Sequence, residues 1–301
     1  MKGTIAQIVA LTTWGNAALD ELVLLDGASF YPSNSTFVFC EYVKFVDVRK
    51  NGAAWEEVSY ASDPLAWFKR IRQEGTYTLR LIHGPSNGVR IGSQKVPDRM
   101  LAGFIGGGGR WLIEAVKPGE SDYWEARWEV GERDREDQKI WRVTYGRIAA
   151  NAPSSEWGRR DSAEEVKRAL AANLSKIAEF ARVHNEERFA KVFDSALVCL
   201  TSPRPLEGLF HADITPKNVL AKVSEQLLGA VITAWVFGGM GSWNDLGFEG
   251  DDQVQYGELS EELYRLLNLA ILVATNSSAR NAPTDTTRGC GKSERPANKP
   301  L

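Results

Sequence analysis

Cysteine and histidine, which commonly form disulfides, metal sites and catalytic centres, are scarce in this chain of 301 residues. There are three cysteines, namely Cys40, Cys199 and Cys290. They are far apart and odd in number, which argues against a disulfide framework and against the ligand spacing of a zinc site. The three histidines are equally isolated, at His83, His184 and His211. The sequence therefore predicts no metal and no cofactor, and its few thiols suit a reducing compartment.

Long apolar runs and an excess of basic charge are also missing. The apolar stretch near the start is interrupted by Gln7, Thr12 and Thr13, so it predicts neither a membrane span nor a secretory signal. The 36 basic and 39 acidic residues give a net charge of −3, whereas nucleic-acid binding needs cations to replace phosphate counterions. We expect a cytoplasmic protein without a membrane or nucleic-acid partner, whose partner is an unknown small molecule or protein.

Three runs of alternating apolar and polar residues stand out in the first half, at 110–116, 123–130 and 139–148. In the second run, Trp124, Ala126 and Trp128 face one side while charged residues face the other. Because the connections between the runs are short, they predict an antiparallel meander. Further strands are expected at 37–48 and 76–82, and a short helix is expected after Asp63. Residues 4–20 give only a weak helical signal.

The apolar pattern changes from strand-like alternation to helical spacing at 151–155, which predicts a linker there. Beyond it, Ser162 and Glu165 form a capping box, and four apolar stripes with helical spacing follow. From residue 279 to 301 almost no apolar residue occurs, which predicts a disordered tail. The expected fold is α+β, with an antiparallel β-rich part at 1–150 and a mainly helical part at 151–278 that packs on it.

His211, Asp213 and Asn218 match the HxDxxxxN spacing of the catalytic loop of protein kinases. In those enzymes a second metal-binding Asp follows on a nearby strand. Here no Asp occurs between residues 219 and 244, so the chain is not expected to be a kinase. The simpler interpretation is a helix start, with Thr215 as the cap and Pro216 in the first turn.

The segment 235–250 combines five glycines with several large aromatic residues between two predicted helices. Glycine permits backbone turns that other residues avoid, so the rings and polar groups here could line a pocket. The predicted ligand-binding residues are Trp235, Phe237, Ser242, Trp243, Asn244 and Asp245. The alternative is a glycine-capped connection whose rings fill the core. The glycine run 106–109 is open to two interpretations as well, an anion-binding nest or a flexible approach to a strand.

Five blocks of the chain resemble segments of a group of uncharacterised bacterial proteins. They are FYPSNST at 30–36, RWLIEAV at 110–116, WEARWEV at 124–130, WRVTYGR at 141–147 and WVFGGMGSWND at 235–245. The resemblance implies a bacterial cytosolic protein and brings no activity with it.

Two functions fit these observations. The first is a binding or regulatory protein with an aromatic and glycine-rich cleft. The second is an enzyme that acts on a small polar or phosphorylated ligand, with His211, Asp213 and Asp245 as candidate catalytic groups. An acid–histidine pair in a pocket would favour the enzyme.

Overall fold

The computed structural model describes residues 1, 3–23, 28–52, 54–86, 90–91, 94–155 and 161–280. The helices in these ranges are α1 (Gly3–Leu19), α2 (Pro64–Gln73), α3 (Asp98–Leu101), α4 (Ala163–Val183), α5 (Glu187–Cys199), α6 (Lys222–Ala234) and α7 (Gly250–Asn276). The strands are β1 (Cys40–Asn51), β2 (Ala54–Ala61), β3 (Thr78–Gly84), β4 (Arg90–Ile91), β5 (Gln94–Lys95), β6 (Arg110–Lys117), β7 (Glu120–Val130) and β8 (Trp141–Ala152). Almost all of the predicted tail lies outside the described residues.

Six strands form one sheet in the order β2-β1-β8-β7-β6-β3. The predicted meander of β6, β7 and β8 is confirmed, because both of its strand pairs are antiparallel. The expectation of a purely antiparallel sheet is wrong, since β1 lies parallel to β8. Alternation of side chains along a strand reports which face is buried and contains no information on the direction of its neighbour. The mixed topology therefore could not be predicted from this pattern.

The helix α1 lies inside the molecule, which explains its weak signal in the sequence. Of its 17 residues, 13 are buried, so no polar stripe marks an outer face. Most of its polar side chains have partners within the core, as Gln7 shows. The Nε2 atom of Gln7 donates to the Thr36 carbonyl over 3.1 Å, and the Tyr145 hydroxyl donates to Gln7 Oε1 over 3.1 Å.

The outer edge of β3 is covered by α1 and α7 through two asparagine side chains. Asn16 accepts a hydrogen bond from the Leu79 amide at 2.6 Å and donates to the Leu79 carbonyl at 2.9 Å. Asn276 does the same for Leu81, at 2.6 and 2.9 Å. Each side-chain amide thus replaces the backbone of a missing strand neighbour, which blocks pairing with another chain.

The helices α4 to α7 form a layer whose core is continuous with that under the sheet. The predicted capping box is present, because Glu165 Oε2 accepts from the Ser162 amide at 3.3 Å. The predicted helix start at Thr215 is wrong. Residues 211–220 form turns, and α6 begins only at Lys222. Among the described residues, no helix combines the length and apolar character required to cross a bilayer.

Candidate functional site

The sheet opens between β6 and β7. These strands pair from Lys117–Glu120 only as far as Leu112–Glu125. Beyond that point, Arg110 and Trp111 pair with β3 alone, while β7 continues along β8. The two strand pairs therefore diverge and leave a gap in the sheet.

A cavity of about 690 Å³ occupies this gap. Its inner wall is the first part of α1, which contributes Thr4, Ile5 and Ile8. Residues from both faces of β7 line it, whereas β8 contributes the alternate residues Thr144, Gly146 and Ile148. The indole rings of Trp111 and Trp128 lie on opposite sides of the gap, one on each diverging strand.

Among the residues that line the cavity, three polar side-chain atoms are buried beneath their neighbours and have no hydrogen-bond partner within the described part of the chain. They are Thr4 Oγ1, Trp111 Nε1 and Trp128 Nε1. A buried polar group that loses its water without gaining a partner costs about 1–3 kcal/mol. Indole N–H groups in the same state also occur at Trp67, Trp124 and Trp235, outside this lining.

Two ion pairs form the polar rim of the cavity. Arg110 contacts Glu125 with both guanidinium arms, at 2.7 and 2.6 Å. Arg127 reaches Glu57 in the same two-armed manner. The hydrogen bonds that Arg110 donates to Glu125 raise the pKa of Arg110, and the hydrogen bonds that Arg127 donates to Glu57 lower the pKa of Glu57. The rim thus presents both donors and acceptors while its charges neutralise each other.

The glycine run 106–109 contributes to a second wall of the cavity. Gly106, Gly108 and Gly109 have positive φ angles of 74°, 86° and 94°, which disfavour residues with a side chain. A Cβ atom at Gly109 would collide with the buried Nε2 atom of the half-buried His83. The Tyr264 hydroxyl donates to the Gly108 carbonyl. The run is therefore held in place by close backbone packing.

The segment 235–250 does not reach this cavity, and none of its six predicted ligand-binding side chains is in the lining. Trp243 is fully buried, with its indole N–H donating to Ser260 Oγ at 2.8 Å. Ser242 and Asp245 form a capping box with each other. Phe237 is buried with its ring edge-on to Tyr264, and Trp235 lies beside it. Of the two interpretations of this segment, the geometry favours the connection whose rings fill the core.

The segment 235–250 packs against the segment 98–109, which contains the glycine run 106–109. The Asn244 side chain accepts from Arg99 Nη1 at 3.0 Å and donates to the Arg99 carbonyl at 2.8 Å. Arg99 in turn contacts Glu261 at 2.6 Å. A Cβ atom at Gly103 would lie 2.5 Å from the backbone of Gly238. The segment 98–109 is thus fixed against the helical layer by residues that the sequence had suggested as ligand contacts.

His211 and Asp213 meet at a residue that sequence reasoning missed, Ser35. The Ser35 amide donates to Asp213 Oδ2 at 2.7 Å, and its hydroxyl donates to Asp213 Oδ1. His211 Nδ1 lies 3.0 Å from the same hydroxyl. Because the single hydroxyl proton points to Asp213, His211 Nδ1 must carry a proton and donate it to Ser35. Burial lowers the pKa of His211 to about 4, so the ring is neutral near pH 7.

This order of protons is the reverse of serine activation, in which the histidine accepts the hydroxyl proton. The contacts instead connect two loops, since Asn34 Nδ2 and Trp14 Nε1 also donate to the Asp213 carbonyl, at 2.7 and 3.0 Å. Asp245 shares no hydrogen bond with this cluster. Within the described ranges, no group of three His, Cys, Asp or Glu side chains is placed to hold a metal ion.

The signal for the cavity residues was present in the sequence but was not specific. Trp111 and Trp128 belong to the apolar faces of predicted strands, where a ring is usually explained by the core. Their unpartnered N–H groups become visible only once the strands are seen to diverge. Comparison of the chain with protein-family models, with curated proteins and with solved structures finds no match.

Proposed function

We propose that this protein binds a small uncharged molecule with a flat or ring-shaped apolar body and hydrogen-bond-accepting atoms. The observation that carries the proposal is the opening between β6 and β7, whose lining includes two tryptophans, Trp111 and Trp128, with indole N–H groups that have no hydrogen-bond partner in the described structure. The two indole groups can only donate, so the ligand must accept. The rings beside them offer flat apolar surfaces.

The charges at the rim support an uncharged ligand. Both lining arginines, Arg110 and Arg127, are already paired with carboxylates. An anionic ligand would have to displace Glu125 or Glu57, whereas a neutral one can use the donors and acceptors that these pairs leave exposed. The volume of about 690 Å³ suits a small molecule, because ligand pockets commonly measure about 300–1,000 Å³.

Binding has more support than catalysis. The carboxylates in the cavity lining, Glu57 and Glu125, are both in ion pairs, and among the described residues no histidine or cysteine belongs to the lining. The enzyme alternative would rely on His211 and Asp213, whose hydrogen bonds are directed into a contact between loops. A binding or regulatory role at the opening between β6 and β7 is therefore the function that the geometry supports best.

The proposal is tested by removing one donor without changing the shape of the cavity. Trp111 is replaced by benzothienylalanine, which keeps the two fused rings and lacks the N–H group. Neutral nucleosides, monosaccharides and aromatic amides are screened on the unmodified protein by thermal shift, each beside a charged analogue. The same replacement at Trp55, which is 70% exposed and outside the cavity, serves as the control.

We expect neutral compounds to stabilise the protein more than their charged analogues. The replacement at Trp111 should weaken the best of them by about tenfold, since an unsatisfied hydrogen bond costs about 1–3 kcal/mol. The control should bind as the unmodified protein does. Equal binding by the Trp111 replacement, or stabilisation by anions alone, would contradict the proposal.

A further inference from the structure

A second cavity of about 360 Å³ lies beside the loop that joins β7 to β8. Its lining consists of Phe39, Arg133, Arg135, Gln138, Ile140 and Trp141. The lining includes two guanidinium groups and no acidic residue. This composition differs from the first cavity, where every lining arginine faces a lining glutamate.

One of the two guanidinium groups is already neutralised. Arg135 contacts both oxygens of Asp137 at 2.9 Å, and that pairing raises the pKa of Arg135. The nearby Arg142 is paired with Glu41 at 2.7 Å. Arg133, by contrast, has no hydrogen bond or ion pair with any residue in the described part of the chain. Arg133 is therefore the guanidinium group of this lining that has no direct ion pair in the described structure, although Glu132 and Asp134 adjoin it in the sequence.

Aromatic rings form the apolar walls. Phe39 is 43% exposed and stacks on Phe210, with ring centres 6.3 Å apart and an angle of 21° between the planes. Trp141 belongs to the same lining and is joined to Phe39 through a backbone hydrogen bond of 3.0 Å. Rings that remain exposed at the mouth of a cavity provide a surface on which another flat ring can stack.

We propose that this second cavity binds a planar aromatic anion. The ring lies against Phe39 and Trp141, and the carboxylate or phosphate pairs with Arg133. A guanidinium group matches such anions because its planar fork can donate two parallel hydrogen bonds. The inference does not rest on the proposed function, since the two cavities differ in charge and share no lining residue.

The test uses the full chain and two probes of the same shape, naphthoate and the uncharged naphthylmethanol. Binding is measured by equilibrium dialysis at low and at high salt. The variant Arg133→Gln removes this guanidinium charge, while Arg168→Gln removes an exposed arginine of α4 that lines neither cavity. Circular dichroism checks that both variants keep the fold.

We expect saturable binding of naphthoate that weakens by about tenfold in Arg133→Gln and remains unchanged in Arg168→Gln. Binding should also weaken with salt, because Arg133 is exposed to solvent. Absence of saturable naphthoate binding, equal binding of naphthylmethanol, or an unchanged affinity in Arg133→Gln would overturn the inference. The benzothienylalanine replacement at Trp111 should leave naphthoate binding intact, so failure at one cavity is separable from failure at the other.

Discussion

At the scale of single residues, two threonines of α1 show how the same side chain can have opposite effects on stability. Thr13 is buried and donates its hydroxyl to the Ile214 carbonyl over 2.8 Å. Thr4 lies on the same helix, but its buried hydroxyl oxygen has no partner in the described structure. Valine has nearly the shape of threonine without the hydroxyl. The pair therefore allows the cost of an unsatisfied group to be measured within one element.

We expect Thr4→Val to leave the free energy of unfolding unchanged or to raise it by up to about 1 kcal/mol, because an unsatisfied group is removed. Thr13→Val should lower it by about 1–3 kcal/mol, since the Ile214 carbonyl loses its donor. Urea denaturation of both variants provides the comparison. If Thr4→Val is as destabilising as Thr13→Val, the Thr4 hydroxyl has a hydrogen-bond partner in solution and does not support the proposed ligand.

A second residue-scale feature is the cation Arg147, which lies among acidic groups at one end of the sheet. It contacts Asp47 at 2.5 Å, and Asp122 and Glu74 at 3.1 Å each. Burial alone would raise the pKa of Asp47, but hydrogen bonds from Arg147 and Arg49 outweigh it and hold the pKa below its usual value. Folding therefore favours the ionised form of Asp47.

This shift has a definite sign in the pH dependence of stability. A carboxyl group with a lowered pKa in the folded state contributes stability above its unfolded pKa of about 3.9, and this contribution is lost as the pH falls through the folded value. Asp47→Asn should lower the free energy of unfolding by about 1–3 kcal/mol at pH 7. The difference from the unmodified protein should shrink below about pH 4. Unfolding curves at several pH values would show whether the difference instead stays constant.

At the scale of elements, the success of sequence reasoning depended on whether an element has an exposed face. The strands β6 to β8 and the helices α4 to α7 have one polar side, and their patterns located them. The helix α1 is buried nearly all round, so its period was hidden. The parallel pairing of β1 with β8 was hidden as well, because it joins segments about a hundred residues apart in the sequence.

The candidate site shows the same limit. The segment 235–250 is indeed unusual in composition, but its composition did not say what it would contact. Its glycines permit an approach to the backbone of the segment 98–109, and that contact fixes one wall of the cavity. Sequence alone predicted binding residues in this segment and could not show its packing on 98–109, because backbone-to-backbone contacts between distant loops leave no periodic signal.

This support can be tested with two glycines that face each other. A Cβ atom at Gly103 would lie 2.5 Å from the Gly238 backbone, whereas a Cβ atom at Gly238 meets nothing closer than Ser242 Cβ at 3.7 Å. We expect Gly103→Ala to lower the free energy of unfolding by about 1–3 kcal/mol and to displace the glycine wall. Gly238→Ala should be nearly neutral. Hydrogen exchange of residues 104–109 would report the displacement, and equal protection in both variants would contradict it.

At the scale of the whole molecule, the edge strand β3 is where the two parts of the chain become one structure. Asn16 comes from the first helix and Asn276 from the last, and they complete neighbouring backbone positions of the same strand. The helical layer is therefore attached to the sheet by hydrogen bonds as well as by the shared core. The two sequence parts are expected to unfold together.

Asn276→Leu should test this attachment, because it leaves the Leu81 amide and carbonyl without partners in a buried position. We expect a loss of about 2–5 kcal/mol, the cost of two unsatisfied groups, in a single cooperative transition. Circular dichroism in the far ultraviolet and tryptophan fluorescence should give the same midpoint. Two separate transitions would show that the sheet and the helical layer unfold independently.

The opening between β6 and β7 gives this sheet an internal edge in addition to its two outer ones. Arg110 and Trp111 on one side, and Ala126 to Trp128 on the other, have a strand neighbour on one flank only. An exposed outer edge can pair with another chain and so lead to aggregation, whereas this inner edge faces the cavity between β6 and β7. A small molecule with both donors and acceptors can enter. Such a molecule would take the place of the missing backbone hydrogen bonds between β6 and β7. Its binding would therefore reduce the motion of both strands together.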